Sequence, residues 1–423
     1  MSILRQVLKD IPIPQMVKIR QRFDDTKLEN LAESLKLELQ KAGTIDRIKP
    51  GQQVAVAVGS RGVANIDLFT KITVEAIKKA GGHPFIVPCM GSHGGASAEG
   101  QTDVLHHLGV TEEYVGAPIR SSMEVVKIDE LPNGLPVYVD EIASKADAII
   151  VINRVKPHTA FRGRIESGIM KMIAIGLGKQ KGAEACHQLG FKYMAENVPA
   201  MATIMINKLP IIFGIALVEN AYDQTCRIEA LPAEQIEARE EVLLEEAKAK
   251  LPKILFDQID VLVIDYIGKN ISGDGMDPNI TGRYPTPYAH GGPDVSKMVV
   301  LDLTPETNGN ANGVGTADFT TQRLVDKMDL PATFVNGLTS TVCAPTKIST
   351  TLDNEFYAIK AAVKTCNILD YTKCRLVRIQ DTLHLGEIEI SVNLLEEARK
   401  HTDIEILSEP YDLQFDSEGN LVK

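Results

Sequence analysis

Short apolar runs that end in glycine or a polar turn constrain this chain most. The stretch "QQVAVAVGS" (Gln52–Ser60), the run Phe85–Val87 and the run Ala148–Asn153 lack the polar alternation of a half-exposed strand and are too short for a buried helix. A strand covered on both faces requires this composition, so each predicts a buried parallel strand. Between them, "ANIDLFTKITVEAIKKAGG" has apolar residues at helical spacing and stops on glycine, and "SAEGQTDVLHHLG" offers Ser97 as an N-cap and Gly109 as a stop. The alternation continues through the runs "LPIIFGIALVEN", "QIDVLVIDYIGKN", "KMVVLDLT", "PATFVNGL" and "CRLVRI". The intervening helices are expected in "AEQIEAREEVLLEEAKAKL", "FTTQRLVDKMD" and "DNEFYAIKAAVKTC". Strands alternating with helices predict an α/β fold with mostly parallel sheets. The tail from Glu409 is expected as a short strand or an extended arm.

At 423 residues the chain exceeds one ordinary core, so two α/β domains are expected, with the active site in the cleft between them. The expected division lies within Pro252–Gln258 and gives an N-terminal domain of residues 1–255 and a C-terminal domain of residues 256–423. A net charge of −11 argues against nucleic acid or an anionic membrane as partner, while an oligomer remains open. No run of about 18 apolar residues exists, which argues against a membrane span. Lys9 and Asp10 interrupt the apolar core that a secretory leader requires, so a cytoplasmic protein is expected. The six cysteines form no CxxC pair, which fits reduced thiols and gives no support to a zinc ribbon or an iron–sulfur cluster.

Against this acidic background one segment reverses sign. From Asn153 to His187 stand Arg154, Lys156, Arg162, Arg164, Lys171, Lys179 and Lys181, opposed only by Glu166 and Glu184. Ligands in open α/β sheets bind beyond the carboxyl ends of the strands. Each such end here delivers glycine together with a cationic or reactive side chain: Arg61 in "GSRG", His93 in "GSHGGAS", His158 in "NRVKPH" and Lys269 in "IGKNISGDGMDPN". Glycine-rich turns with an arginine suit an anion. Alone, Arg61 reads equally well as a turn with a surface arginine, and His93 as a solvated loop histidine. The remaining histidines have weaker contexts.

Pro157 fixes the backbone before His158, and the cations around it should lower the histidine's pKa and favour a neutral imidazole able to act as a base. Lys171 sits among Ile169, Met170, Met172 and Ile173, either snorkelling or partly desolvated, and a desolvated amine can form a covalent link. Cys186 and His187 end the segment with soft donors, and a single histidine needs further donors to hold a metal. From the residues alone, this is a two-domain α/β enzyme for a small anionic substrate.

The set Arg61, Gly91-Ser92-His93, Pro157-His158, Lys171 and His187, in that order, resembles the nickel-dependent lactate racemase family. The match covers most of the N-terminal half, and the separation of 16 residues between Lys171 and His187 fits the family's spacing. The resemblance implies a 2-hydroxy-acid racemase or epimerase using a nickel-pincer nucleotide, pyridinium-3,5-bisthiocarboxylic acid mononucleotide nickel. It implies that Lys171 tethers the cofactor and His187 binds the nickel. His93 and His158 would form the acid/base pair, Arg61 would hold the substrate carboxylate, and Lys269 would make a second, weaker carboxylate contact. Cofactor-biosynthesis proteins are then implied as partners. Two departures point away from lactate itself: Val58 stands where the family's lactate racemases have Asp, and "FRGRIESGIM" replaces the glycine-rich run before the tethering lysine. Arg162 and Arg164 would suit a larger acid, such as a dicarboxylate or a sugar acid. Two alternatives stand beside this reading: a zinc-dependent hydrolase using His93, His158 and His187, and a non-catalytic nucleotide-binding protein.

Overall fold

The computed structural model describes residues 3–60 and 63–422. The first strand, β1 (Met16–Gln21), alternates buried and exposed positions from Val17 onward, as a strand with one wet face must. It belongs to a compact unit formed by residues 1–23 and 252–423, while residues 24–251 form the other unit.

Residues 24–251 hold β2 (Gln53–Val58), β3 (His83–Pro88), the hairpin β4 (Val125–Glu130) and β5 (Pro136–Asp140), then β6 (Ala148–Arg154), β7 (Ile211–Glu219) and β8 (Thr225–Pro232). The main sheet runs β3-β2-β6-β7-β8. The first four of these strands are parallel, and β8 closes the sheet antiparallel. Val54 to Val58 are fully buried, as are Ile149 to Ile152, which is why both runs are unbroken in apolar residues. The helix Ile66–Lys79 buries Ile66, Phe69, Ile72 and Ile77 on one side of this sheet. Each such side chain contributes about 1.5–3 kcal/mol by leaving water. From β2 the chain steps to β3 on one side and later returns to β6 on the other. The ends of β2 and β6 therefore flank a topological switch point, the place where open α/β sheets bind ligands.

The other unit holds β9 (Gln258–Ile267), β10 (Asp294–Leu303), β11 (Phe319–Thr321), β12 (Thr350–Leu352), β13 (Leu376–Ile379), β14 (Glu387–Ser391) and β15 (Ile404–Ile406). Its sheet runs β12-β11-β10-β9-β13-β14-β1-β15, parallel through β13 and antiparallel beyond. The N-terminal strand thus lies between β14 and β15, and the first 23 residues do not belong to the domain of residues 1–255 expected from sequence order. The reason is pairing: Met16 to Arg20 match Ser391 to Glu387 residue for residue, and Leu8, Ile11 and Met16 enter the core of this unit.

One local expectation changes as well, while the tail keeps to the second of its two expected forms, an extended arm. "PATFVNGL" lies in the helix Leu330–Ser340, because Asp329 accepts from Ala332 N–H and Pro331 stands in the first turn, a strong helix start. The tail from Glu409 forms single bridges, Met16 with Tyr411 and Phe415 with Leu421, in place of a regular strand. No helix among the described residues is long and apolar enough to cross a membrane.

Candidate functional site

The β2, β3 and β6 ends deliver the sequence-predicted residues of the first unit. After β2, Gly59 packs so closely on Met172 that a side chain would overlap the Met172 methyl. Ser60 Oγ lies 2.5 Å from His93 Nδ1 in the loop after β3. A hydroxyl both donates and accepts, so Ser60 can support either tautomer of His93. Arg61 and Gly62 lie outside the described residues.

After β6 the chain makes a tightly fastened loop. The buried Glu166 carboxylate accepts from His158 N–H at 2.9 Å and from Gly163 N–H at 3.3 Å, and pairs with Lys248 at 3.1 Å. Ser167 Oγ accepts from Lys156 N–H at 2.6 Å and donates to the Lys156 carbonyl at 2.5 Å. Held this way, the His158 ring lies 4.5 Å from Phe161 and 6.0 Å from Phe191, centroid to centroid. Its pKa is driven well below the usual histidine value. Burial is the main cause, followed by the positive charges of Lys171, His187, Lys156 and Arg162. His158 Nδ1 accepts from Ala160 N–H at 3.0 Å, so the neutral ring carries its proton on Nε2. The expected neutral imidazole is therefore present, but as a donor at Nε2. Acting there as a base would require the other tautomer, which an amide N–H cannot support.

Lys171 ends the short helix Gly168–Lys171. Asn153, at the end of β6, donates to the Gly168 carbonyl at 2.9 Å. The buried Glu240 carboxyl accepts from the N–H groups of Ile169 and Met170 at this helix's first turn. Burial pushes the Glu240 carboxyl up to about 8 against those two donors. Directly after Lys171 the chain makes one π-helical turn, Met172–Gly176, closed by Leu177 N–H on the Met172 carbonyl at 2.9 Å. Such wide turns recur at functional sites. The helix Lys179–His187 follows, ending at the second histidine.

His187 Nδ1 lies 2.6 Å from the Ala183 carbonyl, which can only accept, so the Nδ1 position holds the proton and Nε2 keeps its lone pair. A carbonyl partner on one ring nitrogen is the usual way a metal-binding imidazole is oriented. The His187 ring stands 5.4 Å from Phe191, the same ring that flanks His158. Burial lowers its pKa, assisted by Lys171. Lys171, His158 and His187 therefore share one neighbourhood, and the two histidines present opposite tautomers to it.

The cationic surround expected from the sequence is largely neutralised by acids from other elements. Arg154 pairs with Glu219, and Arg164 pairs with Glu237 at 2.9 Å and Glu241 at 3.4 Å. Arg162 donates to the His158 carbonyl at 2.6 Å and pairs with Glu166 at 3.3 Å. Lys179 pairs with Asp140 at 3.3 Å, both fully buried. The charge reversal thus serves the loop's own architecture, and Arg162 and Arg164 give no basis for a larger substrate. Lys171, Lys156 and Arg162 still act on His158 through space. Cys186 is buried beside Met194, with a thiol pushed up to about 12 by burial, and is inert.

Lys269 belongs to the other unit, where it follows β9 and donates to the Gly273 carbonyl at 2.6 Å. Among the described residues, no three His, Cys, Asp or Glu side chains form a group able to hold a metal ion. The zinc hydrolase built on His93, His158 and His187 lacks its ligand set. Sequence reasoning missed Glu240, Gln101, Asp140 and Phe191. Nothing in the charged helix around Glu240 distinguishes it from its neighbours, because its role depends on which helix end it meets in space.

The fold is a mostly parallel α/β architecture similar to that of a lactate racemase. Residues 10–198 match the model of the lactate racemase N-terminal domain. Among solved structures it is similar to the lactate racemase apoprotein from Thermoanaerobacterium thermosaccharolyticum, with a TM-score of 0.52 and 12% identity over 87% of this chain and 98% of that one. At that identity the likeness concerns the fold. No curated protein matches the chain.

Proposed function

We propose that this chain is a racemase or epimerase inverting C2 of a 2-hydroxy acid, working with a Lys-tethered nickel-pincer nucleotide. The observation that carries the reading is the shared neighbourhood of Lys171, His158 and His187, with the Nε2 lone pair of His187 left open by its Ala183 contact. A cofactor that brings its own sulfur and carbon donors asks the protein for an amine and one further ligand, and Lys171 and His187 suit those needs. A bare metal ion would ask for three side chains, which the described residues do not group. When bound, the cofactor would supply the hydride acceptor and donor.

The protein's own part is proton handling and orientation. His93 exchanges a proton with the substrate hydroxyl, because Ser60 can turn its O–H to follow either tautomer. His158 donates from Nε2 to the C2 oxygen. Its low pKa keeps it neutral at pH 7, so it holds the oxygen without delivering a full charge. Phe161 and Phe191 cover His158 on the apolar side and help limit water at the oxygen. Arg61 is assigned the substrate carboxylate from the family resemblance.

The test is to make the protein together with the cofactor-biosynthesis proteins and measure its intact mass and metal content. The expected result is an adduct mapped to Lys171 with bound nickel, abolished by Lys171→Ala. In His187→Ala the adduct should persist with nickel lost. Protein made this way with neither adduct nor nickel would sink the assignment; with both present, racemisation of a panel of 2-hydroxy and sugar acids by the holo protein identifies the substrate.

A further inference from the structure

Lys179 is fully buried and adopts a left-handed backbone, φ +54°, which side chains other than glycine rarely take. Gly176, Gly178 and Gly182 stand close by, yet the left-handed conformation falls on this lysine. Gly178 is right-handed helical, and Gly176 lies where a side chain would overlap Cys89. The ammonium donates to the Pro88 carbonyl at 2.5 Å and to Gln101 Oε1 at 3.0 Å, and it forms an ion pair with Asp140 Oδ2 at 3.3 Å without a hydrogen bond.

Each partner belongs to a different element. Pro88 ends β3, from which the chain enters the His93 loop. Gln101 lies in the helix Ala98–His107, and its Nε2 donates to the Gly91 carbonyl at 2.9 Å and the His93 carbonyl at 3.3 Å. Asp140 ends β5 and caps Ala143 N–H at 2.7 Å. Lys179 is itself the first residue of the helix that ends at His187. One buried ammonium and one buried amide therefore join the backbone of His93 to the helix that carries His187. A buried charge in a strained conformation is costly, and it persists only where surrounding contacts over-determine it.

We propose that Lys179 is a positioning residue that sets the His93 loop against the His187 helix, acting through Gln101. This inference rests on the reading of His93 and His187 as functional residues, and its test uses the full-length chain without cofactor. Gln101→Glu keeps an acceptor for Lys179 but removes both donations to the loop. It should speed amide exchange across residues 91–97 at least tenfold and move the His93 imidazole NMR signals and their pH titration, leaving His187 signals in place. Lys179→Met combined with Asp140→Asn, which leaves no unpaired buried carboxylate, should move the signals of both histidines. If the double variant does not fold, Gln101→Glu decides alone. Folded Gln101→Glu protein with unchanged exchange and an unchanged His93 titration would overturn the proposal, even if the loaded enzyme is active. Altered His93 signals in a chain that takes up no cofactor would support the positioning role while removing the racemase reading.

Discussion

His158 and His187 are the same residue type in the same neighbourhood, and a single backbone contact gives each a different chemistry. An amide N–H on Nδ1 makes His158 a donor at Nε2, and a carbonyl on Nδ1 makes His187 an acceptor there. In holo protein, His158→Gln, which retains an amide donor, should keep at least tenfold more racemase turnover than His158→Phe, measured by chiral chromatography. His93→Gln should abolish turnover in both directions. The depressed pKa of His158 also affects stability. The unfolded chain binds a proton below about pH 6.5 and the folded ring resists it, so this contribution is complete above pH 6.5 and is lost as pH falls. Urea midpoints of cofactor-free protein should fall less steeply between pH 6.5 and 5 in His158→Asn than in the parent. The difference has a ceiling of about 1.4 kcal/mol per pH unit.

The helix Gly168–Lys171 has four residues and could not persist alone. It is held by Asn153 at its start and by Glu240 on its first N–H groups, and Gly168 makes room with φ +80° where a Cβ would overlap the Glu240 carboxylate. Gly168→Ala should lower stability by at least about 1–2 kcal/mol from the backbone alone, read by urea denaturation, and reduce adduct formation on Lys171. Glu240 carries the opposite pH sign to His158. Its folded pKa of about 8 lies above the unfolded carboxylate value, so the native state holds an extra proton between about pH 4.5 and 8, and stability falls as pH rises through that window. Glu240→Gln should remove this slope. A parent-like slope in the variant would show that the carboxyl is ionised against its two N–H donors.

At the scale of the whole molecule, the N-terminus crosses the sequence order of the domains. Met16, Val17 and Ile19 are fully buried in the sheet with β14 and β15. Deleting residues 1–23 removes about 1.5–3 kcal/mol for each of these side chains and leaves two unpaired strand edges. The expected outcome is aggregation or early melting of the unit of residues 252–423, while residues 24–251, whose core is self-contained, keep a cooperative transition by calorimetry.

The sequence by itself determined the buried strands and the ends where chemistry gathers, because a strand covered on both faces must be apolar throughout and the turn after it must be small or polar. It also determined the order of Arg61, His93, His158, Lys171 and His187, the basis of the family resemblance. Tertiary structure decided what pairs with what. The alternation in "MVKIRQ" identifies a half-wet strand but cannot name a partner as far along the chain as Ser391 is from Met16. Among the seven cations from Asn153 to His187, Arg154, Arg164 and Lys179 look available until Glu219, Glu237, Glu241 and Asp140 arrive from other elements. The tautomers of His158 and His187, the left-handed Lys179 and the Glu240 cap depend on contacts made only when the chain closes on itself. Hydrophobic periodicity is written locally, whereas ion pairs and proton positions depend on which groups folding brings together.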